Sequence, residues 1–221
     1  MELAFEIAEA LAGRVRIGLV AIAGTSVRQA DDGLAAEVEA ECQALRARYG
    51  EGKSSEVPGA ADARTLYKAL GIDPTKTRPS NEALLRRALK GEGLYRINTL
   101  VDALNLASLR EQLPFGLYDL DHVRPPVTLR LGGEGESYEG IRKGPVQVAG
   151  RPVLVDAEGP FGNPTSDSLR TSITLATTRC LAVAYAPSSY SPARLDDVLD
   201  RTAALLVRAC GGEVVLRRRL P

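Results

Sequence analysis

Apolar and polar positions fall into two textures along the chain. Up to about residue 110, apolar side chains recur every three or four positions between short breaks of Gly, Pro and Ser, the period of amphipathic helices. Beyond that point they gather in short runs that often alternate with polar residues, the period of strands. The stretch "RVRIGLVAIAG" reads as a buried strand ended by Gly24-Thr25. Residues 31–50 predict a helix with Leu34, Val38 and Leu45 on its apolar side and Gly50 at its stop, and a loop of turn-formers follows over 51–60. Residues 62–71 predict a short helix with Leu66, Tyr67 and Leu70 inward. The next helix opens at Pro79-Ser80, where the Ser80 hydroxyl suits an N-cap and Glu82 the positive helix end. Its buried stripe is Leu84, Leu85, Ala88 and Leu89, and Gly91 and Gly93 end it. A further helix runs from about Asn98 to Leu109, and 111–121 reads as a turn-rich loop.

The second texture predicts short segments at 127–131, 136–141, 146–150, 152–156, 171–178 and 180–187, with hairpin turns at Gly132-Gly133 and Gly150-Arg151. A long amphipathic helix follows over 191–212, with Leu195, Val198, Leu199, Thr202, Leu205 and Leu206 on its core side, and 213–220 suits a last strand. A helical first half against a strand-rich second half predicts an α+β fold, a mixed or antiparallel sheet packed with helices.

Composition narrows the picture. With 221 residues and 44% hydrophobic content, the chain can bury a real core as one large domain or one and a half. Twenty-eight residues of each sign give a net charge of zero, which excludes a generally basic nucleic-acid-binding surface but not a local patch. Residues 62–110 hold nine basic side chains against five acidic ones, whereas residues 1–61 lean acidic. Cys42, Cys180 and Cys210 stand far apart, with no CxxC and no even set, so neither a zinc site nor a disulfide framework is encoded. That usage fits a reducing cytosol. Glu2 and Glu6 stand where a signal peptide needs positive charge, and the longest apolar run is about half a membrane span. A soluble cytoplasmic protein with no membrane partner is the expectation.

Familiar catalytic patterns are mostly missing. His122 stands alone and there is no GxSxG, so a Ser-His-Asp triad has no support. "GGEGESYEG" lacks the Lys-Ser/Thr of a P-loop and reads as a hairpin turn. No metal-ligand cluster is encoded, although an oxygen-ligand site around Asp119 and Asp121 stays open. Two features carry chemistry. Asn98, Asp102 and Asn105 recur at helical spacing within an apolar helix; they either brace neighbouring backbone or present polar groups to a pocket. The stretch 159–178 is dense in Gly, Pro, Ser and Thr, with Asp167 and Arg170 inside; it is either an ordinary hydroxyl-rich loop or a set of N–H and hydroxyl donors for a carbonyl or phosphate oxygen.

With those residues in view, "RINTLVDALNLASLREQLPFGLYDLD" resembles the B3/B4 domain of the phenylalanyl-tRNA synthetase β subunit, the match falling on Asn98, Val101-Asp102, Asn105, Pro114 and Asp119. The preceding "RPSNEALLRRALKGEGLYRIN" is similar to free-standing bacterial relatives. The resemblance implies a B3/B4-like editing domain over 62–221, with residues 1–61 a strand–helix segment packed on it. It implies a tRNA-binding, trans-editing protein that hydrolyses the ester of a mischarged aminoacyl-tRNA, without aminoacylation. The alternative is a tRNA or aminoacyl-tRNA binding module, or an amino-acid sensor, that has lost hydrolysis. Carried over residue by residue, Asn105 lines the pocket, Leu104 replaces a pocket threonine, Gly116 replaces a histidine, and Gly159 and Gly162 supply the Gly-rich turn. The expected catalytic set is Asn105, Gly159 and Gly162. The pocket set is Leu104, Phe115, Gly116, Thr165, Ser166 and Ser168, and Arg86, Arg87, Lys90 and Arg96 meet tRNA phosphates. Both replacements remove polar groups, so an amino acid smaller or more apolar than tyrosine is expected. The partner is tRNA or aminoacyl-tRNA; no DNA, cofactor or metal is expected.

Overall fold

A computed structural model describes residues 3–50 and 52–221. Glu2, used above against a signal peptide, and Glu51, the first residue of the 51–60 loop, lie outside the described residues. The apolar stretch near the start forms β2 (Val15–Ala23), and a short β1 (Phe5–Ile7) precedes it. The helices are α1 (Asp32–Tyr49), α2 (Ala60–Ala69), α3 (Ser80–Leu89), α4 (Thr99–Glu111) and α5 (Pro192–Cys210). The remaining strands are β3 (Phe115–Asp119), β4 (Val127–Leu131), β5 (Ser137–Gly140), β6 (Gly144–Gln147), β7 (Pro152–Asp156), β8 (Gly159–Gly162), β9 (Arg179–Pro187) and β10 (Glu213–Leu220). The fold is α+β, as the two textures predict.

One four-stranded sheet has the order β10-β2-β9-β3 and is antiparallel throughout; the other has the order β1-β4-β7-β8 and includes one parallel pair, β1 with β4. β2 is buried on both faces, which explains its unbroken apolar run. Its alternate residues serve different cores. Val20 and Ile22 pack with Leu106 of α4 and Leu206 of α5. Ile17, Leu19 and Ala21 pack with Tyr67 of α2, Tyr118 and strands of the second sheet. The helices α1 and α3 close a separate cluster around Cys42, Leu85, Leu89 and Leu109. β10 is an edge strand with a register irregularity between Val214 and Leu216, and it carries Arg217, Arg218 and Arg219 in succession.

Three local expectations are corrected. Residues 115–119, read as loop because of Pro114 and Gly116, form the edge strand β3 against β9. Gly132-Gly133 and Gly150-Arg151 do not turn hairpins; they lead from β4 to β5 and from β6 to β7, crossing between sheets. The hairpin lies between β5 and β6, with Arg142 at its tip in the left-handed region (φ 57°). Residues 171–178 form a loop stitched by side chains, including Thr177 Oγ1 donating to Asp119 Oδ2 at 2.6 Å. That bond, with Asp121 N–H donating to Asp119 Oδ1, engages the Asp119 carboxylate in bracing local backbone.

Candidate functional site

The start of α4 settles which of its three polar residues are structural. Asn98 is the N-cap: its Oδ1 accepts from Val101 N–H at 3.0 Å. Asp102 reaches back over the same turn and accepts from Ile97 N–H at 2.9 Å. Burial raises the pKa of Asp102, and that N–H and the nearby Arg96 charge hold it down in part. Asn105 differs from both. Among the described residues, none hydrogen-bonds its half-buried carboxamide. At the other end of α4, Gln112 adopts a left-handed conformation and its carbonyl accepts from buried Asn81. Both ends of the helix are thereby pinned.

Three hollows meet at Asn105. The main cavity, about 400 Å³, is walled by Ile97, Val101, Leu104, Phe115, Leu117, Ile141 and Ile173, with Asn105, Asp167, Arg142 and Ser172 as its polar members. A smaller hollow of about 240 Å³ shares Asn105, Phe115, Ile141 and Asp167 with it and adds Ser80, Lys143, Thr165 and Ser166. The third, about 320 Å³, lies across α4 against α1.

Local geometry places each wall. Val101, Leu104 and Asn105 are three and four residues apart and share a helix face. In β3, period two sends Phe115 and Leu117 to the cavity. Gly116 and Tyr118 face the other way, and a Cβ on Gly116 would run into the Tyr118 ring and hydroxyl. Gly162 backs onto the same hydroxyl from β8. The Tyr118 side chain is fully buried, edge-on to Phe161 at 5.0 Å.

The loop after β8 supplies the carboxylate. Asn163 Oδ1 accepts from Thr165 N–H and Ser166 N–H, while the carbonyls of Pro164 and Ser166 accept from the hydroxyls of Tyr67 and Tyr138. Thus α2 and β5 hold the loop from two sides. The Asp167 carbonyl accepts from Ile141 N–H on the β5–β6 hairpin. Asp167 is only half-buried as a residue, yet its Oδ1 is closed off from solvent with no hydrogen-bond partner, and Oδ2 accepts from Leu117 N–H at 3.3 Å. Burial pushes its pKa up to about 7, partly offset by the Tyr118 hydroxyl, the Leu117 N–H and the positive charge of Lys143.

The expected site residues therefore separate. Leu104, Asn105 and Phe115 meet at the main cavity, and Thr165 and Ser166 join Asn105 and Phe115 at the smaller hollow. Gly116, Gly159, Gly162 and Ser168 border none of the three hollows. The backs of Gly116 and Gly162 are filled by Tyr118, Gly159 serves the β7–β8 turn with φ 119°, and the buried Ser168 hydroxyl pairs with that of Thr171 at 2.8 Å. Of the four basic residues, Arg96 borders the hollow beside α1. Arg87 is engaged by Glu92, the Gly93 carbonyl and Tyr95; Lys90 lies 3.7 Å from Glu92; Arg86 is exposed. Asp167, Arg142 and Lys143 are the residues that sequence reasoning did not select. Asp167 stood in the hydroxyl-rich stretch, but its burial depends on the hairpin closing over it, which leaves no local signal.

Comparison with known families gives this geometry its context. The profile of the B3/4 domain family matches residues 62–211. The chain belongs to the B3/4 domain family. A solved N-terminal fragment of the phenylalanyl-tRNA synthetase beta-subunit from Pyrococcus horikoshii is similar in fold to this B3/4 protein, with a TM-score of 0.50 and 13% sequence identity. The likeness covers 100% of this chain and 55% of that one, so the B3/4 protein spans about half the length of that fragment. No curated protein matched it. No helix among its described residues is long and apolar enough to cross a membrane.

Proposed function

We propose that this B3/4 protein is a trans-acting hydrolase of aminoacyl-tRNA esters. Family membership supports a tRNA-related module. The observation that carries the finer reading is one cavity bordered by both Asn105, whose carboxamide none of the described residues hydrogen-bonds, and Asp167, whose carboxyl burial pushes up to a pKa of about 7. An ester of this class needs an oriented water, a base for its proton and a donor for the tetrahedral oxyanion. Asp167 takes a proton from the attacking water as its oxygen bonds to the ester carbon, the Asn105 N–H donates to the oxyanion, and the carbon–oxygen bond to the ribose breaks as Asp167 returns that proton to the departing ribose oxygen. A base with pKa near the working pH is well matched to this task. The seven apolar residues that wall the cavity favour an amino acid with an apolar side chain.

A panel of tRNAs charged with different amino acids tests the proposal. Deacylation above the buffer rate is expected for apolar amino acids, falling as pH drops through about 7. Asn105→Ala lowers the rate about 10²–10³-fold, the cost of losing one oxyanion donor, with little loss of stability because none of the described residues hydrogen-bonds that carboxamide. Salt-sensitive tRNA binding with no turnover on any charged tRNA would replace this reading with a binding module.

A further inference from the structure

We infer that the hollow between α1 and α4 holds the terminal base of the RNA strand whose ester enters the main cavity; this rests on the hydrolase reading above. The base and the ester of one terminal nucleotide share a ribose, so their sites must adjoin. The smaller hollow shares four residues with the main cavity and extends it, the hollow beside α1 is a separate one that meets it at Asn105, and the hollows bordered by Tyr49 and Lys53 and by Arg201 and Arg208 share no residue with it. Its chemistry suits a nucleobase, which has two π faces and a hydrogen-bonding rim. The apolar part of its wall comes from Ala35, Ala36, Val38 and Leu94, and Glu39, Arg96 and Asp102 supply acceptors and a donor.

Tyr95 completes the platform. The residue is 65% exposed, a large aromatic side chain left in solvent at the hollow it borders. The Arg87 guanidinium carbon lies 3.9 Å from the ring centroid and Arg87 Nη1 donates to the hydroxyl at 3.0 Å. One face is thus held in place, and among the described residues nothing stacks on the other. A ring fixed on one face and open on the other is what a base needs for stacking.

Fluorescence anisotropy with an uncharged RNA hairpin ending in an unpaired adenosine provides the test, since it reads binding without hydrolysis. The same hairpin with an abasic terminal residue is the second probe, and wild type and Tyr95→Ala are compared on both. Wild type is expected to bind the abasic RNA about tenfold more weakly than the intact one, Tyr95→Ala to bind intact RNA about tenfold more weakly, and the abasic RNA to lose nothing further in the variant. Ala36→Phe, which fills the hollow from α1, reproduces the Tyr95→Ala effect. Equal affinity of wild type for the two RNAs, or losses that simply add, overturns the base site even if deacylation proceeds. Non-additive losses without deacylation support the base site and refute the hydrolase instead. Failure to bind RNA, or displacement of RNA by an equal concentration of adenosine monophosphate, overturns the inference, the latter in favour of a free-nucleotide site.

Discussion

Replacing Asp167 by Asn gives a stability test of the site that needs no substrate. In the unfolded chain this carboxyl titrates near 3.8; in the folded protein burial raises it to about 7. A raised carboxyl pKa favours the folded state at low pH, where both forms are protonated, and costs stability as pH rises and only the unfolded chain ionises freely. At about 1.36 kcal/mol for each tenfold change in acidity, the rise to about 7 corresponds to a ceiling of roughly 4 kcal/mol. The loss accumulates between about pH 4 and pH 7 and is complete above that. Asp167→Asn keeps the acceptor for Leu117 N–H and removes the charge, so its stability lacks this component. The chain has no Trp, so urea unfolding followed by circular dichroism from pH 4 to pH 8 is the suitable assay. The variant should gain on wild type steadily across that range, and by pH 8 should be the more stable of the two. Curves that stay parallel from pH 4 to pH 8 would show that Asp167 ionises as freely in the folded protein as in the unfolded chain, which would also remove the basis for its role as a base near neutrality.

Other predictions follow from groups that brace the site. Glu82 is 1% exposed and accepts from Arg64 Nε and Nη2 at 2.8 Å each and from Ser54 Oγ at 3.0 Å, while Arg78 is 3.9 Å away; Arg64→Ala should cost up to about 3–5 kcal/mol by leaving a buried charge with only the more distant Arg78 to offset it, and adding Glu82→Gln should restore part of it in thermal unfolding. Gly162→Ala drives a methyl into the Tyr118 hydroxyl and the ring carbons beside it and should cost about 1–3 kcal/mol, relieved only in part in denaturant unfolding by Tyr118→Phe, which keeps the ring, and more fully by Tyr118→Leu. Asn98→Ala removes the α4 cap and should cost about 1 kcal/mol, whereas Asn98→Asp keeps the acceptor and most of the stability; equal losses in the two variants would show that the cap bond is not what matters.

Much of the scaffold was legible because it is local. The helices α1 to α5 were visible in their periodicity, although Ser80 does not cap α3 as expected (Pro79 holds that position and the Ser80 hydroxyl donates to the Pro164 carbonyl), and β2 was visible because burial on both faces makes a strand uniformly apolar. What escaped depends on distant partners. β3 was hidden by Pro114 and Gly116, residues that normally signal turns; here Gly116 makes room for the buried Tyr118 ring. The apparent hairpins at Gly132 and Gly150 were crossings between sheets, which no local pattern distinguishes. At the site, the helical spacing of Asn98, Asp102 and Asn105 was plain, but telling caps from pocket required seeing which amide had no partner. The buried carboxylate of Asp167 was invisible for the same reason: only folding brings the β5–β6 hairpin over it.

The strand β10, at the end of the antiparallel sheet, has consequences for how copies of this protein behave at high concentration. Among the described strands it stands at the end of its sheet, the position from which a sheet can be extended by a strand of another molecule. Yet three successive arginines line that strand, Arg217 and Arg219 ion-paired with Asp196 and Asp200 of α5, so an incoming strand would meet charged side chains already held in place, and the slipped register near Val214 breaks the straight line such docking requires. Substituting neutral β-formers for Arg217, Arg218 and Arg219 would therefore remove a barrier to filament growth while leaving the Asn105 pocket, built from other strands and helices, as it was.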